Sequence, residues 1–281
     1  MALTDPEIIR PLLDGLVKRF DRTFLSPDPL FAIEPYLVNS DDAEVAALIG
    51  SVFAYGRAAL IEKNVAAILK EMQPSPAKFC DNFIENESKN WMPRFKYRFN
   101  DRADLFGLMR GIAVARKKHG TLLNLFLESD KSQSANAIIG LRNFAIRLKE
   151  YANQDNRSFN HLLPSSQSSP LKRLNLFLRW MVRDDRIDSG FWKNYVEKER
   201  LIIPLDIHVG RIARRLGMLE GVSNNLQSAL LLTDYLKQLD KSDPVKYDFA
   251  LCSYGKLGYC TKKSYLDKCV ICKFEKICKK L

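Results

Sequence analysis

Apolar residues recur at helical spacing along nearly the whole chain. The first set is Ile8, Ile9, Leu12, Leu13, Leu16, Val17 and Phe20. The same period predicts further helices over residues 58–72, 105–115, 122–127, 135–151, 171–183, 207–216 and 226–239. Alternating apolar and polar residues, which are typical of strands, are rare, and no internal repeat is present. The pattern therefore predicts an all-α protein.

Capping residues and helix breakers suggest where several of these helices begin and end. Asp41 and Asp42 are candidates to cap a helix that ends near Tyr55-Gly56-Arg57. Ser169 is expected to cap the helix over residues 171–183, with Pro170 at its first position, and Gly217 to close the helix over residues 207–216. Residues 153–170 are polar and are expected to form a loop.

One short segment, Arg94-Phe95-Lys96-Tyr97-Arg98-Phe99, alternates basic and aromatic residues. An extended chain sends alternate side chains to opposite faces, so the three aromatic rings would share one face. We expect a short extended stretch with these rings turned inward. Contact with nucleic acid is the alternative interpretation, because basic and aromatic side chains together suit a polyanion that carries bases.

Four of the six cysteines, Cys260, Cys269, Cys272 and Cys278, lie in the last 22 residues. Four thiolates can complete the coordination of one zinc ion or one iron–sulfur cluster. Disulfides are the alternative, but the first residues carry charges too early for a signal peptide, which predicts a reducing, cytoplasmic location. We therefore expect a metal site here. Cys80 and Cys252 are expected to be small buried residues.

The chain is basic, with a formal net charge of +11. The positive residues are concentrated at 172–186, 211–215 and 262–280. Such stretches predict a polyanionic partner, most simply nucleic acid. No apolar run approaches the roughly 20 residues that span a bilayer, so no membrane role is expected.

A second motif surrounds Asp206, in the run Pro204-Leu205-Asp206-Ile207-His208-Val209-Gly210-Arg211. An aspartate at a helix start is ordinarily just a cap. This run, however, is similar to the one around the essential aspartate of the helix-hairpin-helix DNA glycosylases. The cysteine spacing resembles the cluster loop of their endonuclease III branch, whose first gap is usually two residues shorter. The two motifs occur in the same order. The whole chain also resembles the bacterial family called domain of unknown function 2400.

The resemblance implies a two-lobed, all-helical glycosylase-like fold. Residues 41–185 would form a helical barrel lobe. Residues 1–40 together with 186–281 would form the second lobe, with the cluster loop at 255–281. It also implies a 4Fe-4S cluster on Cys260, Cys269, Cys272 and Cys278, with zinc as the alternative, and a monomer that acts on double-stranded DNA.

The resemblance further implies removal of a damaged base that is flipped out of the duplex. Asp206 would stabilise positive charge on the sugar. Lys172 lies 34 residues earlier, in a segment that resembles the lysine helix of the archaeal GO glycosylases. It would be the nucleophile of a combined glycosylase and lyase.

The expected DNA contacts include a turn at Tyr55 and Arg57 that would fill the gap left by the flipped base. The full set is Ser168, Ser169, Arg173, Tyr55, Arg57, His208, Arg211, Lys262 and Lys263. The family's hairpin normally reads Leu-Pro-Gly-x-Gly, whereas this chain has Ser165-Ser166-Gln167-Ser168-Ser169-Pro170. That departure keeps two other readings open: a non-catalytic nucleic-acid-binding protein on the same fold, and a zinc-stabilised interaction protein.

Overall fold

The computed structural model describes residues 3–83, 90–131, 134–262 and 266–279, which are mostly helical. One two-stranded antiparallel hairpin, β1 (Lys96–Tyr97) with β2 (Asn100–Asp101), is the sheet structure of this part of the chain. The helices are α1 (Pro6–Arg19), α2 (Pro29–Ile33), α3 (Ser40–Val52), α4 (Ala58–Lys70), α5 (Pro76–Asp81), α6 (Arg102–His119), α7 (Leu122–Ser129), α8 (Ile138–Ala152), α9 (Arg157–Leu162), α10 (Lys172–Val182), α11 (Ile207–Arg215), α12 (Leu226–Leu239), α13 (Asp248–Lys256) and α14 (Leu266–Val270). Among these residues, no helix is both long enough and apolar enough to cross a membrane.

Most of the predicted helices are present. Their observed ends depart from the predicted ends where the capping residue is not the one expected. The helix predicted over residues 226–239 has those bounds in α12, because the Asn225 side chain accepts from Ser228 N–H at its start. α6 begins earlier than the apolar pattern indicated, since Asp101 and Asp104 form a reciprocal capping box. α3 begins at Ser40 because Asn39, and not Asp41 or Asp42, is its cap.

The region before α10 corrects two expectations. Residues 153–170 were expected to form a loop, but they contain α9, which the Asn156 side chain caps. Ser169 does not cap α10. Its cap position is Leu171, a left-handed residue (φ 46°) whose side chain makes no capping hydrogen bond. Pro170 therefore lies outside the helix, and α9 and α10 are joined by the turn at residues 163–171.

The largest packed group joins α3, α6, α7, α8 and α10. α8 lies along α6, and α10 lies against α3. An aromatic cluster fills the centre, where the Trp192 ring stacks on Phe126 and meets Phe177 edge-on. Trp180 and Trp192 are buried in this core and are not exposed to a ligand.

A second packed group joins α1, α11, α12 and α13. α11 lies against α13, and α1 packs on both α12 and α13. α2 packs between α3 and α4, although it precedes residue 41. The division into lobes at residues 41 and 185 stays a prediction.

The hairpin forms where basic and aromatic residues alternate. Phe95 and Tyr97 are buried, at 8% and 7% exposure, whereas Phe99 is 58% exposed at the hairpin tip. The expectation of inward aromatic rings is thus right for two of the three and wrong for Phe99, because the chain turns between β1 and β2 at Arg98 (φ 52°).

Candidate functional site

A cavity of about 700 Å³ lies where the two packed groups meet. Its wall combines the turn between α3 and α4, the first turns of α10, the start of α11 and one face of α13. The polar and charged lining residues are Asp28, Tyr55, Arg57, Lys172, Arg179, Asp206, His208, Asn224, Asp248, Cys252 and Lys256. The two predicted catalytic residues, Asp206 and Lys172, therefore line one cavity.

Asp206 is held by both of its carboxylate oxygens. Oδ1 accepts from His208 N–H at 2.8 Å and from Val209 N–H at 2.7 Å, which caps α11. Oδ2 accepts from the Cys252 thiol, with 3.4 Å between Sγ and Oδ2. Asn224 Nδ2 donates to the Asp206 backbone carbonyl at 2.9 Å. The carboxylate is therefore fixed in orientation at the cavity wall.

α11 and α13 approach closely beside Asp206. A Cβ added to Gly255 of α13 would lie 2.7 Å from His208 Cβ and 2.8 Å from His208 Nδ1. Burial lowers the pKa of His208, and the nearby cations Arg211 and Lys172 lower it further, while Asp206 acts in the opposite direction. His208 is thus a mostly neutral ring at neutral pH, packed between the two helices.

Asn224 places a buried acceptor beside the site. Its Oδ1 is buried and has no hydrogen-bond partner among the described residues. This oxygen packs against α11, since a Cβ added to Gly210 would lie 2.5 Å from it.

Lys172 occupies the first turn of α10, next to the left-handed Leu171. With no side chain capping the helix, the free N–H groups of this turn point to the same end as the lysine. The helix dipole therefore adds positive potential around Lys172.

An ion-pair network forms the floor of the cavity. Arg179 NH1 lies 2.5 Å from Asp248 Oδ2, and Arg179 NH2 lies 3.0 Å from Asp188 Oδ1. Arg183 pairs with Asp188 and with Asp243. Burial raises the pKa of Asp248 to about 6, although Arg179 opposes the rise. Removing one member would leave a buried charge without its partner, so the network fixes α10 against α13.

A second ion pair lies at the cavity edge. Lys256 Nζ of α13 is 3.1 Å from Asp28 Oδ2 and donates to the Pro27 carbonyl at 3.0 Å. Asp28 also caps α2 by accepting from Leu30 N–H. Lys256, the second lysine that lines the cavity, is thus paired with the carboxylate of Asp28.

The turn between α3 and α4 places Tyr55 and Arg57, two of the predicted DNA contacts, in the wall of the cavity. The Tyr55 hydroxyl donates to Asn100 Oδ1 at 2.5 Å, and Tyr97 Oη donates to the Tyr55 carbonyl at 2.6 Å. Burial raises the pKa of Tyr55 to about 12. Tyr55 is therefore a fixed wall, whereas the Arg57 side chain is exposed.

The other predicted DNA contacts differ in availability. Ser168 is exposed and Ser169 is partly buried. Arg173 is buried; its guanidinium donates to the carbonyls of Val52 and His161. This placement favours a packing role for Arg173 over the predicted contact.

Arg211 and the basic C-terminal residues also differ in how far their side chains are engaged within the fold. Arg211 donates to the carbonyl of Cys260 at 2.7 Å and contacts His208 Nδ1 at 3.0 Å, so its guanidinium holds the cysteine segment. Lys262 is exposed. Lys263 lies outside the described residues.

The basic stretch at 172–186 does not form the surface that its charge suggested. Arg173, Arg179 and Arg183 are buried, and the last two belong to the ion-pair network. In the same way, Arg214 donates to the carbonyls of Gly221 and Ser223. These arginines pair with carboxylates or donate hydrogen bonds to backbone carbonyls within the fold. A count of charges along the sequence cannot reveal these partners.

The cysteine segment is fastened to the last turn of α11. Arg215 donates to Cys260 Sγ at 3.1 Å and to the carbonyls of Thr261 and Lys262. Lys279 N–H donates to the Arg215 carbonyl at 2.7 Å, which returns the chain to the same helix. The two ends of the segment are therefore anchored at one place.

All six cysteines are free thiols. The Tyr254 hydroxyl lies 3.2 Å from Cys272 Sγ, and burial, followed by the thiols of Cys272 and Cys260, raises the pKa of Tyr254. Across the described ranges, no three His, Cys, Asp or Glu side chains are grouped closely enough to hold a metal ion. The chemistry of four free thiols on one anchored segment fits a soft metal, and the predicted 4Fe-4S cluster and its zinc alternative stay predictions.

Several residues of the cavity were not predicted as site residues. Asp28 and Lys256 pair across 228 positions of sequence, so no local pattern could indicate them. Cys252 was expected to be merely small and buried, but its thiol contacts the Asp206 carboxylate. Its position four residues before Lys256, on the same face of α13, was the available sequence signal.

Comparison with known proteins matches most of the chain to a protein family. Residues 28–257 match the family described as protein of unknown function (DUF2400). This range begins and ends within one residue of the Asp28–Lys256 pair and so includes every element of the cavity wall. No curated protein and no solved structure matches the chain. The chain therefore belongs to the DUF2400 family.

Proposed function

We propose that the protein is a base-excision DNA glycosylase with a two-lobed helix-hairpin-helix fold, acting on double-stranded DNA. One observation carries the proposal: Asp206 and Lys172, each at the N-terminus of a different helix, line the same cavity. The resemblance of the surrounding sequences to glycosylase motifs is independent of this geometry. In this proposal the turn between α9 and α10 is the hairpin.

Asp206 has the arrangement that cleavage of an N-glycosidic bond needs. The bond to the base breaks with both electrons leaving on the base, so positive charge develops on the sugar. A carboxylate that is already oriented stabilises that charge without reorganising during the reaction. Oδ1 is occupied by two backbone N–H groups, and Oδ2, held by a single weak thiol donor, is the oxygen available to the sugar.

Lys172 would supply the nucleophile of a glycosylase–lyase. Its neutral amine would attack the anomeric carbon as the base departs, and opening of the sugar ring would give a protonated Schiff base. Its place in the first turn of α10, on the wall of the cavity that Asp206 also lines, supports this role.

The cavity also suits a flipped base. Its volume, about 700 Å³, lies within the range of sites that enclose small ligands. Leu176, Pro204, Leu205 and Phe249 give it apolar walls. Extruding a base costs a few kcal/mol, which such contacts offset.

Cys260, Cys269, Cys272 and Cys278 would hold the 4Fe-4S cluster, with zinc as the alternative. The bound group would order the basic segment around Lys262 and Lys263. Arg215 and Arg211 already fix the Cys260 end of this segment on α11.

Borohydride trapping tests the function without knowledge of the lesion. The protein is mixed with duplex DNA that carries one abasic site, and sodium borohydride reduces any Schiff base to a stable adduct. We expect an adduct with the wild type and none with Lys172→Ala. Lys256→Ala is the matched control, because Lys256 lines the same cavity but is paired with Asp28.

Each outcome decides a specific point. If the adduct forms with Lys172→Ala but not with Lys256→Ala, the nucleophile is Lys256 and the assignment of Lys172 is wrong. With no adduct in the wild type, release of free base from a panel of damaged duplexes decides between an Asp206-dependent monofunctional enzyme and a protein that only binds.

A non-catalytic nucleic-acid-binding protein is the second candidate. The exposed Ser168 in a turn without glycines favours it, since the usual backbone anchor for phosphate is absent from this sequence. Salt-dependent DNA binding with no base release from either wild type or Asp206→Asn would support it. A zinc-stabilised interaction protein would bind no DNA at any salt concentration.

A further inference from the structure

The hairpin tip carries an aromatic ring that the fold leaves exposed. Phe99 is 58% exposed, although the other two rings of the same segment are buried. Single exposed apolar side chains are common and need no explanation by themselves. What distinguishes Phe99 is how it is held.

Phe99 is fixed by aromatic neighbours at the edge of the cavity. Its ring stacks on Tyr55, with centroids 6.4 Å apart and planes 13° apart, and it meets His161 edge-on at 5.1 Å. Tyr55 itself lines the cavity. The ring is therefore held in a defined orientation beside the opening while more than half of the residue stays exposed.

The hairpin tip also contacts the turn that borders the cavity. A Cβ added to Gly56 (φ 112°) would lie 3.1 Å from Tyr97 Oη and 3.2 Å from Arg98 Cδ. This close approach requires glycine at position 56 and fixes the tip against the turn. The hairpin and the cavity thus belong to one surface.

Exposed basic residues lie on the same turn and hairpin as the ring. Arg98 lies over Phe99, with its guanidinium carbon 5.5 Å from the ring centroid. Arg57, Arg94 and Lys96 are exposed on the same turn and hairpin. Unlike the arginines of α10, these side chains are directed to solvent, where they complement a phosphate backbone.

We propose that Phe99 and Arg98 form a stacking platform for a nucleobase of the strand that lies beside the cavity. An aromatic face next to exposed cations is the arrangement by which proteins hold single-stranded or distorted nucleic acid without reading its sequence. The nucleic-acid ligand rests on the proposed function. The platform is a contact additional to the cavity, on a different element of the chain.

Binding measurements test the platform directly. A fluorescent duplex with a central tetrahydrofuran abasic site is titrated with wild type, Phe99→Ala and Phe99→Leu, and anisotropy is read at several salt concentrations. We expect both substitutions to weaken binding on the order of 10-fold, because leucine keeps the apolar contact with Tyr55 but has no aromatic face. The salt dependence should be unchanged, since no charge is removed.

Two further variants separate stacking from charge and from general surface change. Arg98→Gln should weaken binding and reduce the salt slope by about 1. Tyr195→Ala is the matched control, because Tyr195 is as exposed as Phe99, at 60%, and should bind like wild type. Phe99→Trp should bind like wild type, and its added fluorescence, relative to wild type, should be quenched by the DNA.

Failure of this inference is distinguishable from failure of the proposed function. If the wild type is trapped on abasic DNA but Phe99→Leu binds as tightly as wild type, the platform is wrong and the enzyme assignment stands. If Phe99→Ala instead changes only the oligomeric state in light scattering, the ring is a contact between copies, which also overturns the platform. If the wild type binds no DNA, both proposals fall.

Discussion

Asp206 and Lys172 line the cavity from two helix N-termini that begin differently. α11 begins with Asp206, whose carboxylate satisfies two backbone N–H groups. α10 begins with the left-handed Leu171, and no side chain satisfies its first turn. The first end is neutralised by its own residue, whereas the second is left positive and presents Lys172.

The largest effect should come from Asp206→Asn. Asparagine caps a helix as well as aspartate does, so the free energy of unfolding should change little. Loss of the negative charge should reduce base release or adduct formation about 10²- to 10³-fold. Single-turnover rates measure the activity, and denaturant titration measures the stability. Asp206→Ala should show the same loss of activity and a further destabilisation of about 1 kcal/mol. Full activity in the asparagine variant would remove Asp206 from the mechanism.

The next effect is expected from Gly255→Ala, which crowds the start of α11. The new Cβ would overlap His208, so we expect destabilisation of about 1–3 kcal/mol and slower catalysis as Asp206 shifts. Gly15→Ala in α1 is the control. A Cβ there meets nothing within 4 Å, so thermal denaturation should show a gain of about 0.5–1 kcal/mol. Equal effects at the two glycines would contradict the close packing of α11 on α13.

A smaller effect concerns pH. Because the pKa of His208 is lowered from 6.5, the unfolded chain binds a proton that the folded chain does not. Stability should therefore fall as pH decreases below about 6.5, by at most about 1.4 kcal/mol per pH unit for this group. Urea titrations from pH 7.5 to about 5 should show a shallower decline in His208→Gln. His161, whose pKa is lowered by burial, Arg173 and Arg98, contributes in the same direction. A steeper decline in His208→Gln would reverse the inferred sign.

The smallest effect should be a gain in stability at the other helix. Lys172→Gln removes a positive charge from the uncapped first turn of α10, which should stabilise the protein by about 0.3–1 kcal/mol while abolishing the borohydride adduct. Differential scanning calorimetry at low ionic strength measures the gain. Destabilisation would mean that the ammonium makes a favourable contact in the folded state.

The helical class was predictable from the sequence because apolar spacing alone specifies it. α12 matches its predicted bounds, and the motif around Asp206 gave both the cap and the helix that follows. α9 was not predictable from that spacing, because its six residues are mostly polar. The start of α10 was misplaced because Leu171, an unusual left-handed residue, took the position expected of Ser169.

The candidate site was predictable only where its chemistry is local. Asp206 and Lys172 each belong to a recognisable segment, but the Asp28–Lys256 pair depends on α2 and α13 meeting in the fold. The sequence also did not show which basic side chains are buried and which are exposed. Arg179 and Arg98 look alike in the sequence, yet one is buried against Asp188 and Asp248 and the other covers an exposed ring.

α11 has the candidate carboxylate at one end and the cysteine segment at the other. Its nine residues span roughly 14 Å. Asp206 precedes its first turn, and Arg215 in its last turn donates hydrogen bonds to Cys260 Sγ and the Thr261 carbonyl. A displacement of the thiols would therefore be transmitted along this helix to the cavity wall.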